Sequence, residues 1–282
     1  MNRSKAILLQ ALAAILFSSG GLMIKVIDLS PMSIVGARAT LTLIILVGYM
    51  LYTTKPTFTW SWPQIGAALG IAGAQFFFVL ATKQTTAANA IFIQFAAPIY
   101  VAFLGIWLLK ERLKGIDWLS LVFIFAGLFF FFQGDLSTSG FWGNINALIS
   151  GISLAFFVIC LRMQKDGSTI ESIVLGNALC ALTCLPFLLA ESPKLSDWGG
   201  LVFLGIFQMG LPFILLSISI KYLSAIEAIV IQTLEPVFNP IWVFLVIGEK
   251  PAPLALLGCS IVFLTVLARS IIASQQKLRR AK

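Results

Sequence analysis

From one end to the other the chain is a succession of apolar stretches of about 20 residues, the length at which a helix crosses the hydrocarbon core of a bilayer, divided by short polar breaks. The periodicity predicts spans at 6–27, 32–52, 64–82, 87–109, 116–133, 142–161, 170–190, 198–220, 225–247 and 254–272. With 59% hydrophobic and 11% charged residues over 282 positions, the chain has too little polar surface for a water-soluble domain of that size. The expected fold is therefore an all-α integral membrane protein of ten transmembrane helices. Arg3 and Lys5 precede the first apolar run as in a secretory leader, but the run continues through Gly20, Gly21 and Lys25 with no small-residue cleavage site, so it is read as a helix of the mature protein.

The chain also resembles itself. Displaced by 138 positions, Trp60 falls on Trp198, Lys83 on Lys221, Gln94 on Gln232, Pro98 on Pro236 and Glu111 on Glu249. A displacement of 139 extends the match backwards, placing Ser33-Ile34-Val35 on Ser172-Ile173-Val174. Apolar identities between two hydrophobic stretches carry little weight; Trp, Lys, Gln, Pro and Glu in one register carry much more. Spans one to five thus repeat as spans six to ten. Because five is odd, the second copy enters the membrane from the opposite side, which makes two inverted five-helix repeats. Residues 1–135 form the first, 136–275 the second, and 276–282 a basic tail.

The net charge of +8 sorts by loop. One side of the membrane collects Arg3, Lys5, Lys55, Lys110, Arg112, Lys114, Arg162, Lys165, Lys221, Arg269 and the tail from Lys277 to Lys282, while the other holds Lys25, Lys83, Lys194 and Lys250. Under the positive-inside rule this sets both termini in the cytoplasm. The tail then rests against anionic headgroups, and the basic balance does not indicate nucleic acid.

Several function classes drop out. Histidine, the commonest metal ligand and proton relay, is absent from the sequence. Cys160, Cys180, Cys184 and Cys259 lie within spans without metal-ligand spacing and read as small apolar residues. Neither a phosphate-binding glycine loop nor a nucleophile elbow occurs, which excludes nucleotide-driven transport within this chain and leaves no enzyme signature and no cofactor.

Certain motifs resemble those of the drug/metabolite transporter superfamily, specifically its ten-helix proteins with two EamA domains. They are Ala225-Ile226-Glu227-Ala228, Leu234-Glu235-Pro236-Val237, Asn239-Pro240-Ile241-Trp242 and Gly248-Glu249, echoed in the first repeat by Thr86-Ala87-Ala88-Asn89-Ala90, Ala97-Pro98-Ile99-Tyr100 and Lys110-Glu111-Arg112. The resemblance covers essentially the whole chain. It implies a secondary carrier of the cytoplasmic (inner) membrane working by alternating access, in a family whose members move amino acids, amines, choline-like cations, nucleotide sugars or sugar phosphates. Substrate does not follow from the family alone.

Charges within spans are costly, about 2.5 kcal/mol and upward, and so point to function. Arg38 lies in span two, where the plainer readings are that it snorkels to the headgroups or caps carbonyls of a neighbouring helix, and Glu235 lies mid-span in span nine beside Pro236. Gln232, Glu235 and Asn239 share one helical face. A carboxylate there can bind a substrate ammonium or exchange a driving proton; the plainer role is a packing hydrogen bond, with Arg38 as one partner. Glu227, nearer a helix start, is a second proton-coupling candidate, although the helix dipole favours an acid there in any case. Gln75, Asn89, Gln94 and Tyr100 complete the candidate set from the first repeat, and Trp242 is an aromatic candidate in the second. Gln94 and Gln232 are expected to approach a central cavity from opposite sides.

The leading expectation is an exporter of small amino-bearing or zwitterionic metabolites, acting as a monomer or homodimer among membrane lipids, with protons as the candidate coupling ion. Two other readings stay open, a lipophilic-cation or drug exporter and a channel-like facilitator or scramblase.

Overall fold

The computed structural model describes residues 1–282 apart from 21–22, 25–26, 54–55, 86, 112, 134–139, 168, 192, 248–252 and 281–282. Glu249 and Lys250, which the repeat singles out, lie outside the described residues. The elements are α1 (Arg3–Phe17), α2 (Pro31–Thr53), α3 (Trp62–Gln84), α4 (Ala87–Gln94), α5 (Ala97–Leu108), α6 (Gly115–Phe132) and α7 (Phe141–Met163). There follow α8 (Thr169–Ala190), α9 (Leu195–Phe203), a π-helical turn (Leu204–Gly210), α10 (Leu211–Ser219), α11 (Ala225–Gln232), α12 (Leu234–Ile247) and α13 (Pro253–Arg280). Among the described residues, six helical stretches are long and apolar enough to cross a membrane, and 115–130 and 256–272 are shorter apolar helices. With α1 and the α11–α12 pair these make the ten expected spans.

Four spans depart from continuous helices, each for a visible reason. Span four divides into α4 and α5, and span nine into α11 and α12, at corresponding positions of the two repeats. Pro98 and Pro236 lack the amide that would bond the carbonyls of Gln94 and Gln232, and their rings crowd those carbonyls. The helix therefore stops at each glutamine and restarts just before the proline. Local bonds bridge the gaps: the Ala96 amide donates to the Ile93 carbonyl at 3.1 Å and the Thr233 hydroxyl to the Val230 carbonyl at 2.6 Å.

Span eight widens into its π turn just before Pro212, where a normal i→i−4 ladder would lose a donor. The Thr42 hydroxyl donates to the Gly205 carbonyl there at 2.8 Å. The regular helix of span one ends at Phe17, short of the expected Ile27, where the Ser18 and Ser19 hydroxyls turn back onto the carbonyls of Ile15 and Leu16.

Packing follows a pseudo-two-fold relation between the repeats. Equivalent spans meet across the axis: α2 packs on α8, α5 on α11 and α6 on α13. The other contacts come in exchanged pairs, α3 on α7 matched by α10 on α1, and α3 on α8 matched by the π turn on α2. Glycine permits the closest approaches. A Cβ on Gly70 would stand 2.7 Å from the Phe157 amide nitrogen of α7, and one on Gly36 2.6 Å from the Cys184 carbonyl carbon of α8. Between lipid-solvated helices, such close packing replaces the hydrophobic drive that holds soluble bundles together. Cys160, Cys180 and Cys184 are buried free thiols within these contacts, and Cys259 is a half-buried one.

Candidate functional site

The two broken spans, the π turn and the middle of α1, α2, α3 and α7 surround one cavity of about 120 Å³. Its size is of the order of the ~150 Å³ engineered cavity that admits a benzene-sized molecule. Apolar side chains form most of the wall, among them Phe17, Phe78, Phe95, Phe157 and Phe213. Set into it are Gln10, Arg38, Gln75, Gln94, Gln208, Gln232 and Glu235.

Arg38 is 2% exposed, so its guanidinium does not snorkel to a headgroup. It donates from Nη2 to the Gln75 backbone carbonyl at 3.4 Å, and among the described residues no carboxylate pairs with it. Glu235 accepts from Gln232 Nε2 at 3.0 Å and likewise has no cationic partner among the described residues. The packing role expected for a pair of Arg38 with Glu235 is thus not what these two side chains do. One cation and one anion line the same cavity, each held by neutral hydrogen bonds.

The glutamines form two relays. Both cross between the repeats. Around Glu235, Ser219 donates to Gln10 Oε1 at 2.6 Å, Gln10 Nε2 to Gln232 Oε1 at 3.1 Å, and Gln232 Nε2 to Glu235. This chain orients the Glu235 carboxylate. Around Gln94, its Nε2 donates to Ser150 Oγ at 2.7 Å, and Ser150 to the Ala74 carbonyl at 2.8 Å. Gln94 and Gln232 both line the cavity, each at the end of the first half of a broken span.

Other candidates fall elsewhere. Glu227 lies outside the cavity lining, pairing with Arg3, standing 3.8 Å from Arg269 Nη1 and capping α11 through the Ser224 amide at 3.0 Å. Tyr100 packs half-buried against the main apolar core. Trp242 is not among the lining residues but donates from Nε1 to Ser18 Oγ, which is, at 2.7 Å. The side chains of Asn89 and Asn239 lie outside the described residues.

Sequence reasoning missed Gln10 and Gln208. A polar residue within an apolar span was the available signal for both. Gln208 carried a second one, lying four residues before Pro212, where the helix ladder must adjust.

Against known proteins, the model of the EamA-like transporter family matches residues 4–133 and again 141–270. An uncharacterized transporter of Archaeoglobus fulgidus is 25% identical over 191 residues, 67% of this chain and 69% of that protein. The uncharacterized transporter YyaM of Bacillus subtilis is 27% identical over 218 residues, 72% of this chain and 70% of its own length. A solved structure superposes with a TM-score of 0.82 at 18% identity, covering 96% of this chain and 99% of the other, and so shares its fold.

Proposed function

The chain belongs to the EamA-like transporter family, and from that premise we propose that it moves small zwitterionic or amino-bearing metabolites through the cavity between its repeats. The observation that carries this reading is the pair of uncompensated opposite charges, Arg38 and Glu235, in one small cavity. A buried charge without a counter-ion is disfavoured, and a ligand bearing a carboxylate and an ammonium relieves both at once. A sugar phosphate would call for several cations, whereas among the described residues Arg38 is the cation of this lining. A lipophilic cation would satisfy Glu235 and the phenylalanines yet leave Arg38 unpaired.

Transport by alternating access fits the distribution of ion pairs. The ends of α1, α6, α11 and α13 at the face bearing the termini are joined by Arg3, Glu227, Arg269 and Asp117. On the same face Glu111 bonds Arg162 at 3.5 Å and the Ala225 amide at 3.2 Å, linking the repeats. At the opposite face the described ion pair, Lys194 with Asp28, is 73% and 88% exposed and weak. In this reading residues 1–135 and 136–275 rock about the cavity, and opening towards the termini breaks the first set of pairs. In this reading the positive-inside rule makes that face cytoplasmic, and net export is the direction we propose.

Uptake into proteoliposomes of labelled amino acids, amines, choline-like cations and sugar phosphates, assayed in parallel with and without a pH gradient, tests the proposal. Saturable uptake of an amino compound, lost in Glu235→Gln, is the expected result. Preferred uptake of a phosphate ester or of a lipophilic cation, or flux without saturation or counterflow, would overturn it.

A further inference from the structure

Among the described residues four buried side-chain polar atoms find no hydrogen-bond partner, and three of them, Arg38 Nε, Gln75 Oε1 and Gln208 Oε1, belong to residues that line the transport cavity. Gln75 is 4% exposed and Gln208 6%. Leaving such an atom buried and unpaired is costly, so two amide oxygens and a guanidinium N–H gathered at one cavity need explanation.

The way the two amides face is set by their other ends. Gln208 Nε2 donates to the Phe17 carbonyl at 3.1 Å; a carbonyl accepts only, so the nitrogen must face it and the oxygen is left over. Gln75 Nε2 donates to Asn177 Oδ1 at 3.4 Å, and Asn177 is itself oriented because its Nδ2 donates to the Ile173 carbonyl at 2.9 Å. Here too the spare atom is the acceptor. The backbone makes room for this arrangement at Gly20, where a Cβ would stand 2.6 Å from Gln208 Nε2. The π turn, a feature that recurs at functional sites, carries Gln208.

We propose that Gln75 and Gln208 are specificity-determining residues whose side-chain carbonyls accept N–H donors of the substrate, so that the carrier selects primary ammonium compounds and rejects quaternary ones. A primary ammonium offers three donors, enough for both carbonyls and the Glu235 carboxylate, while its carboxylate takes the spare N–H of Arg38. A trimethylammonium group has the same charge and no donor, so it would bury both carbonyls unsatisfied. Charge alone, supplied by Glu235, cannot make this distinction. The inference rests on the amino-metabolite reading above and adds the donor requirement.

Isomer pairs separate donors from size. Valine and glycine betaine have the same atoms, as do alanine and N-methylglycine, but the members of each pair differ in N–H count. Proteoliposomes carrying the full-length protein are assayed for saturable counterflow of each labelled compound, with ethanolamine and choline as an amine pair. The expected result is a preference of about 100-fold or more for the primary member over the quaternary one, the combined effect of leaving two buried carbonyls unpaired. Gln208→Leu and Gln75→Leu should each reduce that preference by about tenfold or more while a primary substrate is still carried. The wild-type comparison decides the matter if a variant fails to fold. Equal or better transport of the quaternary members would overturn the donor requirement and leave the amino-metabolite reading standing. A preference unchanged in two folded variants would mean that water, not substrate, satisfies the carbonyls. Uptake of no compound in the panel would defeat both readings together.

Discussion

Arg269 of α13 and Asp117 of α6 meet at 2.5 Å with side chains 5% and 8% exposed, and a second bond from Arg269 Nε at 3.1 Å makes both donors converge on the same oxygen. The pair joins the fifth span of one repeat to the fifth of the other. Removing one partner of a buried pair leaves the other charge stranded, typically at about 3–5 kcal/mol. Asp117→Asn and Arg269→Gln should each lower the melting temperature of the detergent-solubilised protein, and the double variant should lose clearly less than the sum. Strict additivity in the double-mutant cycle would show that the two side chains do not interact in the membrane protein.

Close helix contact at Gly70 gives a second expectation. A methyl group there would meet the Phe157 amide nitrogen at 2.7 Å and its Cα at 2.9 Å, backbone atoms that cannot move aside without shifting α7. Gly70→Ala should destabilise by about 1–3 kcal/mol, as over-packing does elsewhere. Gly48 in α2 is the control, since a Cβ there has nothing within 4 Å. Gly48→Ala should be neutral or stabilising by up to about 1 kcal/mol through helix propensity. Melting curves of the two variants in one detergent compare them directly.

The contrast between legible and hidden features has a physical basis. Membrane crossing and repetition are encoded in long apolar runs and in spaced Trp, Lys, Gln and Pro identities, signals that sum over many residues. The breaks at Gln94 and Gln232 were implicit in Pro98 and Pro236, but a proline by itself allows either a bend or a stop. Gln208 became visible only through folding. Its role depends on the π turn, on the Phe17 carbonyl from a span nearly two hundred positions away and on the bare backbone of Gly20. Glu227 shows the converse: a charge conspicuous in the sequence turned out to be tied to Arg3 and to its own helix cap.

Acidification provides a test at the loop between spans four and five. Burial of the Glu111 carboxyl raises its pKa above the ordinary range, outweighing the nearby Arg162 and the Ala225 amide, which pull it down. A group whose folded pKa is raised binds its proton more readily in the folded state. Its contribution therefore grows as pH falls through the folded pKa, and levels off below the unfolded value of about 4.3. Relative to Glu111→Gln, the wild type should gain stability between neutral pH and about pH 4. A difference between the two melting profiles that is flat in pH, or that runs the other way, would refute the assignment.

Charge at the cavity yields the most direct prediction. Gln232 Nε2 donates to Glu235, and the carbonyl of a glutamine at 235 can accept the same bond, so Glu235→Gln removes charge while keeping the relay from Ser219 through Gln10. Folding should survive, and saturable uptake of an amino substrate should fall by about 10- to 100-fold, the scale of one buried charged hydrogen bond. Arg38→Lys keeps a cation but loses the planar fork that meets a carboxylate with two parallel bonds. Its KM should rise by about tenfold with a smaller change in maximal rate, because the lost contact is made to bound substrate as much as to the moving state. A purely structural Arg38 would instead lower the melting temperature and leave KM unchanged in the protein that folds. Measuring both quantities for both variants separates a binding pole from a packing residue at each end of the cavity.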